Sequence, residues 1–258
     1  MILLLGGVSE TRPICLQLAR QGYRVLVSQA TDIPLAVESH ANIEWRFGPL
    51  DERGLGELIE WRAIRAVVDA THPYAVAIRA AAAQAAAEKG IPYLRYIRPK
   101  VVEATDDGIL IAPDHEAAAA VAFGRNRPVL LTIGSRNLGP YVEKARETGL
   151  PLIARVLDHA SSWEACRRAG IPPENIIVGR GPFSVEVNRK HIRRFGIGVM
   201  VTKDGGLAGG TREKLEAARA EGCEVVVVMR PADNEPDAFF DIDSLLAAVR
   251  RSVDPPAD

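Results

Sequence analysis

The sequence predicts an α/β protein with two Rossmann-like lobes, mostly parallel sheets and a ligand cleft between the lobes. Short apolar segments alternate with helical segments along the chain, which is typical of parallel sheets covered on both faces. Roughly ten strand candidates are too many for the usual single sheet. The chain of 258 residues is long enough for one large domain or two small ones.

The first half of the chain has the strand, turn, helix and strand order of such a lobe. Residues 1–5 are apolar and are predicted to form a buried strand that ends at a glycine pair. The following helix has Ser9 or Thr11 as its candidate cap and ends near Gly22. Further strands are predicted at 23–28, 43–47, 66–69 and 93–96, and further helices at 50–61 and 74–89.

The second half repeats this alternation, and Arg98-Pro99 marks the expected crossing between an N-terminal lobe (1–98) and a C-terminal lobe (99–258). Strands are predicted at 129–133, 152–156, 176–178, 199–202 and 225–229. Helices are predicted around 115–123, 140–148, 161–169, 184–194 and 211–221. The tail from residue 254 is expected to fray.

Composition excludes several classes of protein. The chain is 47% hydrophobic and 25% charged, with a formal net charge of −1, which excludes intrinsic disorder and leaves no basic field for nucleic acid. The opening apolar segment is far shorter than the ~20 residues of a membrane span, so no membrane association is expected. Three isolated cysteines favour a reducing, cytoplasmic location. The histidines lack metal-ligand spacing, so no metal site is expected.

The first candidate site follows the first strand. Gly6, Gly7, Ser9 and Glu10 form a turn into a helix, where backbone N–H groups and the positive end of the helix dipole suit a phosphate. The turn is not a GxGxxG motif, and a tight strand-to-helix turn also needs glycine for steric reasons, so both interpretations stay open. Ser28 ends the second strand in place of an acid, which favours NADP or a different binding mode.

The second candidate site follows the strand at 66–69. Thr71, His72 and Tyr74 stand at a strand end, where ligands of parallel sheets collect. His72 titrates near neutral pH and is a candidate catalytic residue. The alternative is that Thr71 or His72 only caps the helix that follows.

The third candidate site is the most specific pattern in the sequence. Lys203 and Asp204 end a strand, and a loop containing Gly206, Gly209 and Gly210 leads into a helix. Such a loop offers charge, backbone donors and a helix N-terminus to an anion. It is not a P-loop, because the lysine precedes the glycines. The alternative is a mobile loop with a solvated Lys–Asp pair.

Further polar side chains at strand ends of the second half are candidates for binding carboxylates. They are Ser135, Arg136, Arg155 and Arg180. Arginine binds carboxylates through paired hydrogen bonds, although surface arginines without a ligand are also common.

Five motifs occur in a fixed order and cover the chain from residue 1 to about 231. They are Gly-Gly-x-Ser-Glu at 6–10, Asp-Ala-Thr-His-Pro-Tyr-Ala at 69–75, Arg98-Pro99, Val-Thr-Lys-Asp at 201–204 with a glycine pair at 209–210, and Lys214 with Arg230-Pro231. This ordered set resembles the precorrin-6A reductase family of cobalamin biosynthesis.

The resemblance implies an oxidoreductase that reduces one double bond of a carboxylate-rich tetrapyrrole, precorrin-6A or its cobalt form, to the 6B form. It implies NADPH as the hydride source, with NADH as the alternative, and a monomer or small homo-oligomer. Arginines at the strand ends, together with Lys214 and Arg230, are then candidates for the substrate's carboxylates.

Hydride addition to a conjugated ring also needs a proton donor. The candidate donors are Asp204, His72 and Tyr74, and Lys203 is a further candidate catalytic residue. Because Lys203 beside it favours the carboxylate form, Asp204 is expected to donate only if its pKa is raised, and otherwise to orient, with a water molecule as the acid. Two other functions stay open. One is a cofactor-free synthase of the uroporphyrinogen-III synthase kind, against which the first glycine turn argues. The other is a non-catalytic nucleotide or tetrapyrrole binding module.

Overall fold

A computed structural model describes residues 1–31, 39–102, 108–231 and 237–254 of the chain. The chain divides into two compact units, Met1–Pro99 together with Pro231–Asp258, and Lys100–Arg230. Each unit contains one sheet whose paired strands are all parallel. The predicted α/β fold with two mostly parallel sheets is therefore confirmed.

The first unit is built on a five-stranded sheet in the order β3-β2-β1-β4-β5. Its strands are β1 (Ile2–Leu5), β2 (Val25–Gln29), β3 (Ile43–Phe47), β4 (Ala66–Asp69) and β5 (Tyr93–Arg95). Its helices are α1 (Thr11–Arg20), α2 (Glu52–Trp61), α3 (Val76–Glu88) and, near the end of the chain, α9 (Ile242–Ser252).

The second unit is built on a six-stranded sheet in the order β6-β11-β10-β7-β8-β9. Its strands are β6 (Ile109–Ala112), β7 (Val129–Leu131), β8 (Leu152–Val156), β9 (Ile176–Val178), β10 (Val199–Lys203) and β11 (Glu224–Val228). Its helices are α4 (His115–Phe123), α5 (Gly139–Thr148), α6 (Ala160–Ala169), α7 (Val185–Phe195) and α8 (Thr211–Ala220).

Strand β1 shows why these apolar segments form central strands. Ile2 and Leu4 face a core shared with α1 and α9, whereas Leu3 and Leu5 face a second core shared with α2 and α3. A strand with helices on both faces has no solvated side, so its sequence is continuously apolar rather than alternating.

The C-terminal segment joins a different unit from the one expected. The sequence analysis assigned all residues after 98 to the second lobe, but residues 231–258 pack with the first unit. Leu245 and Val249 of α9 are buried in its core, and the Tyr23 hydroxyl donates a hydrogen bond to the Val253 carbonyl oxygen at 2.8 Å. Of the expected frayed tail, residues 255–258 lie outside the described residues.

Among the described strands and α-helices, β6 and α9 were not predicted. Strand β6 is a short edge strand of four apolar residues, Ile109–Ala112. Within the described residues, no helix combines the length and the apolar character needed to cross a membrane.

Parallel pairing places the loops that follow the strands at one edge of each sheet. In the first unit this edge carries the segments after β1, β2 and β4. In the second unit it carries the segments after β7, β8, β9, β10 and β11. All of the candidate site residues lie in or next to these segments or at the strand ends from which they start.

Candidate active site

Thr11 organises the turn after β1. It is fully buried at the start of α1, and its Oγ1 accepts hydrogen bonds from Gly7 N (3.1 Å) and Val8 N (3.3 Å). A Cβ atom on Gly6 would lie 2.4 Å from Thr11 Cγ2, so the position requires glycine. The prediction that Ser9 or Thr11 caps α1 is wrong. The N-cap residue is Glu10, and no side chain makes a capping hydrogen bond there.

Ser9 and Glu10 are held by a residue 88 positions away. Arg98 Nε donates to Glu10 Oε2 at 2.8 Å, and Arg98 Nη2 donates to Ser9 Oγ at 2.7 Å. Arg98 is only 5% exposed, so Glu10 supplies the counter-charge that a buried guanidinium needs. The sequence analysis placed Arg98 at a crossing between lobes and missed this contact.

The turn leaves backbone donors available. Among the described residues, the N–H groups of Ser9 and Glu10 have no acceptor. Gly7 has φ +107°, and a Cβ built there would have no atom within 4 Å, so a ligand can approach the backbone closely. Gly6 N donates to the Ser28 carbonyl oxygen at 2.9 Å, which joins the turn to the end of β2. Such free donors at the start of a helix suit a phosphate.

A buried ion pair fixes the loop after β4. Asp69 Oδ1 lies 2.9 Å from Arg95 Nη1, and both side chains are almost completely buried. The same carboxylate accepts hydrogen bonds from Thr71 N at 2.8 Å and from the Tyr93 hydroxyl at 2.6 Å. Arg95 Nη1 also donates to Thr71 Oγ1 at 3.3 Å. Thr71 is therefore held by this network.

His72 and Tyr74 lie together on this loop. Their ring centroids are 5.4 Å apart, and Tyr74 N donates to His72 Nδ1 at 3.4 Å. A neutral His72 ring that accepts at Nδ1 carries its proton on Nε2. Neither Thr71 nor His72 caps α3, whose N-cap is Ala75.

Asp204 is the centre of a buried network in the second unit. Its Oδ2 accepts hydrogen bonds from Val101 N (3.0 Å) and Val102 N (3.3 Å), and its Oδ1 accepts one from Gly206 N (3.0 Å). Arg230 Nη2 lies 3.2 Å from Oδ1, and Arg230 Nε donates to the Asp204 carbonyl oxygen at 2.9 Å. Both carboxylate oxygens are thus occupied by donors that hold the glycine loop.

The glycine loop of the second unit, like the turn after β1, is held by a buried threonine at the start of the following helix. Thr211 is fully buried at the start of α8, and its Oγ1 accepts from Gly205 N at 3.0 Å. The N-cap of α8 is Gly210, which makes no side-chain capping hydrogen bond. Gly206 and Gly210 have φ of +74° and +69°, a region that favours glycine.

Two cations of the second unit, the buried Arg155 and the half-buried Lys214, are candidates for binding an anion. Burial, with the nearby Arg155 charge, lowers the pKa of Lys214 to about 8, and the charges of Glu213 and Asp204 act in the opposite direction. Burial lowers the pKa of Arg155 to about 10. Arg155 Nη1 donates to Asn188 Oδ1 at 2.7 Å, and its guanidinium lies 4.3 Å from the Phe183 ring centroid. Within the described residues neither cation has an ion-pair partner, and this arrangement suits an anionic ligand.

Lys203 forms a second cationic group with Arg136. Burial and the Arg136 charge lower the pKa of Lys203 to about 8. Ser135 and Arg136 follow β7, with Ser135 half-buried and Arg136 exposed, and Arg180 is exposed after β9. The structure therefore brings Lys203 near Arg136 and Lys214 near Arg155. No group of His, Cys, Asp and Glu suited to a metal ion occurs in the described part of the chain.

Comparisons with known proteins agree with this arrangement. The family model described as "Precorrin-6x reductase CbiJ/CobK" matches residues 1–250. The cobalt-precorrin-6A reductase of Priestia megaterium is 35% identical over 232 residues, which cover 90% of this chain and 91% of that protein. The precorrin-6A reductase of Rhodococcus erythropolis is 31% identical over 253 residues, which cover 96% and 95%.

A solved structure described as "CobK precorrin-6A reductase" has a TM-score of 0.79 and 26% identity, and it covers 97% of this chain and 96% of its own. The family model spans all of the motifs on which the resemblance was based, and the relatives match most of the chain. The resemblance is confirmed, and the chain belongs to the precorrin-6x reductase family.

Proposed function

We propose that this protein reduces precorrin-6A, or its cobalt form, to the 6B form in cobalamin biosynthesis with NADPH as the reductant. The observation that carries the proposal is that a chain of this family has a turn with available backbone donors after β1 in one unit, and in the other an arginine and a lysine that form no ion pair among the described residues. The first suits a dinucleotide, and the second suits a substrate rich in carboxylates.

The residues of the first unit fit a nicotinamide cofactor. The available N–H groups of Ser9 and Glu10 and the open space above Gly7 would accept its phosphates, while Gly6 and Ser28 shape the site. Thr71 would line it from the neighbouring strand end. When bound, the cofactor supplies the hydride. In the second unit, the loop with Gly206, Gly209 and Gly210 remains a candidate for cofactor binding because of its backbone geometry.

The carboxylate arms of the macrocycle would bind to the second unit. Arg155 and Lys214 are the strongest candidates, because both are desolvated and neither forms an ion pair within the described residues, which makes an incoming carboxylate favourable. The more exposed residues Ser135, Arg136 and Arg180 would bind carboxylate arms that stay closer to solvent. Arg230 already contacts Asp204 through two nitrogen atoms, so we assign it a positioning role.

The proton that accompanies the hydride is assigned to Lys203. Both oxygens of Asp204 are occupied by donors, so this residue positions the loop and does not donate. Lys203 has a pKa of about 8 because of burial and Arg136, and an acid of that strength transfers a proton readily near neutral pH. His72 and Tyr74 remain the candidates in the first unit.

The pH dependence of turnover tests the role of Lys203. Since the protonated lysine is the donor, kcat is expected to be highest below pH 8 and to fall about tenfold for each pH unit above it. The charge of Arg136 lowers the pKa of Lys203, so Arg136→Gln should move this decline to higher pH. Lys203→Met should remove most of the activity. A profile of wild-type enzyme that stays flat to pH 9.5 would contradict the assignment.

The function itself is tested by the loss of NADPH absorbance when enzymatically prepared precorrin-6A or its cobalt form is added, with NADH in parallel. Turnover that depends on the macrocycle would support the reductase, and the preferred pair would identify the substrate and the cofactor. Binding of both ligands without NADPH consumption would favour the binding module. Absence of any NADPH binding would favour the synthase.

A further inference from the structure

Arg46 is a charged residue at the sheet edge that the sequence analysis did not single out. Ser28 and Arg46 are direct partners on β2 and β3, so their side chains share one face of the sheet. Arg46 Nη1 donates to Ser28 Oγ at 3.3 Å. The Ser28 carbonyl oxygen in turn accepts from Gly6 N at 2.9 Å. Ser28 therefore links Arg46 to the phosphate-binding turn through hydrogen bonds.

The guanidinium of Arg46 has hydrogen-bonding capacity left. Nη1 donates to Ser28 Oγ and to the Gly48 carbonyl oxygen (2.7 Å), and Nη2 donates to the Pro49 carbonyl oxygen (3.1 Å). Within the described residues the Nε–H group and one N–H of Nη2 have no acceptor, and these two adjacent atoms form an edge that binds oxyanions in pairs.

No carboxylate of the described residues forms an ion pair with Arg46. The acid on the same strand, Glu44, is bound by Arg24 and Arg62. The charge of Arg46 is therefore available to an anionic ligand.

A second observation at the end of β2 also points to a ligand. Gln29 is 2% exposed, and among the described residues neither Nε2 nor Oε1 of its side chain has a hydrogen-bond partner. An unpaired buried amide costs free energy. Gln29 follows Ser28, so its side chain lies on the other face of the sheet. A polar ligand that covers the end of β2 would provide the missing partner.

We propose that Arg46 binds the 2′-phosphate of NADPH and thereby selects NADPH over NADH. The inference rests on the proposed function, because it places the cofactor at the turn after β1. In parallel sheets of this kind the adenosine ribose lies at the end of the second strand, next to the glycine turn that binds the pyrophosphate. An acid at that strand end binds the ribose hydroxyls and repels a 2′-phosphate, whereas here Ser28 occupies the position and Arg46 adds a positive charge.

The alternative for Arg46 is a structural clamp on the segment at 48–49. A clamp would affect both cofactors equally, whereas a phosphate ligand affects only the one that carries the extra phosphate. The difference between two matched ligands therefore separates the two roles.

The binding experiment uses the full chain without macrocycle and compares 2′,5′-ADP with 5′-AMP by titration calorimetry, because the two differ only in the 2′-phosphate. Wild-type protein is expected to bind 2′,5′-ADP more tightly. Arg46→Gln should weaken 2′,5′-ADP binding roughly 10- to 100-fold, as for the loss of hydrogen bonds to a charged group. It should leave 5′-AMP binding within about twofold.

A matched control is available on the same strands. Arg24 precedes β2 at the opposite end and pairs with exposed Glu44, so Arg24→Gln should change neither affinity. Ser28→Asp, which places an acid at the strand end and leaves Arg46 present, should lower the preference for 2′,5′-ADP and serves as the second variant if Arg46→Gln fails to fold.

Two outcomes would overturn the inference: equal affinity of the wild-type protein for the two ligands, or an equal loss for both in Arg46→Gln. The proposed function can fail separately. If the 2′-phosphate preference depends on Arg46 but no macrocycle is reduced, the inference stands and the reductase assignment fails. If the macrocycle is reduced equally well with NADPH and NADH in wild-type and variant, the reductase stands and the inference fails.

Discussion

Asp69→Ala is expected to lower the free energy of unfolding by about 3–5 kcal/mol, the usual cost of removing one partner from a buried ion pair. The loss is large because Arg95 stays charged in a site that excludes water. The Thr71 N–H and the Tyr93 hydroxyl lose their acceptor at the same time. Chemical denaturation measures the change in the free energy of unfolding. Hydrogen exchange of the folded protein provides a second readout, in which the Thr71 amide should exchange much faster.

Two controls separate the buried pair from charge removal in general. Glu44→Ala breaks the partly exposed pairs with Arg24 and Arg62 in the same unit and should cost less than about 1 kcal/mol for each pair. Replacing both partners, as Asp69→Leu with Arg95→Met, should recover much of the loss, because apolar substitutes for a buried pair are often neutral. A cost below about 1 kcal/mol for Asp69→Ala would show that Arg95 finds another partner.

Asp204→Ala is expected to lower kcat about 100-fold, the size of effect that small displacements of catalytic groups produce. Without the carboxylate, the N–H groups of Val101, Val102 and Gly206 lose their acceptor, and Arg230 loses its counter-charge. Lys203, the adjacent residue, would no longer be held in position. Steady-state kinetics with NADPH and the macrocycle measure the change.

Asp204→Asn separates positioning from proton donation. Asparagine keeps one acceptor oxygen and nearly the same shape, so we expect partial activity, and the decline of kcat above pH 8 should persist because it belongs to Lys203. If Asp204 were the donor, Asp204→Asn would remove activity completely or abolish the pH dependence. Either result would reverse the roles that we assign to the two residues.

Much of the fold could be predicted because local pattern determines it. Strand β4 and strand β8 were predicted with their observed bounds, since each is a short apolar segment between clear turns. The glycine turns were predicted because a strand-to-helix turn of this kind excludes a Cβ, as the contact between Gly6 and Thr11 shows.

The partners of the site residues could not be predicted, because they depend on strand order and not on local pattern. Glu10 meets Arg98 across 88 residues, and Asp204 meets Val101 across 103. A charged residue beside a strand end indicates a site, but only the folded sheet shows whether a ligand or the protein itself occupies it. Arg230 illustrates the difference, since it was expected to bind substrate and is engaged by Asp204.

The return of the chain to the first unit could not be predicted for a related reason. The amphipathic pattern of α9 shows which face of the helix is buried, but not which sheet buries it. Leu245 and Val249 would satisfy the same pattern against either sheet.

This return also has a consequence for biosynthesis. The second unit is one contiguous segment, so all strands of its sheet have been synthesised once residue 230 has emerged from the ribosome. The unit that begins at residue 1 lacks α9 until residue 252 has emerged, so the apolar side chains that α9 covers stay exposed while the second unit is made. The unit that is started first is therefore completed after the second one, and its exposed apolar surface favours aggregation during that interval.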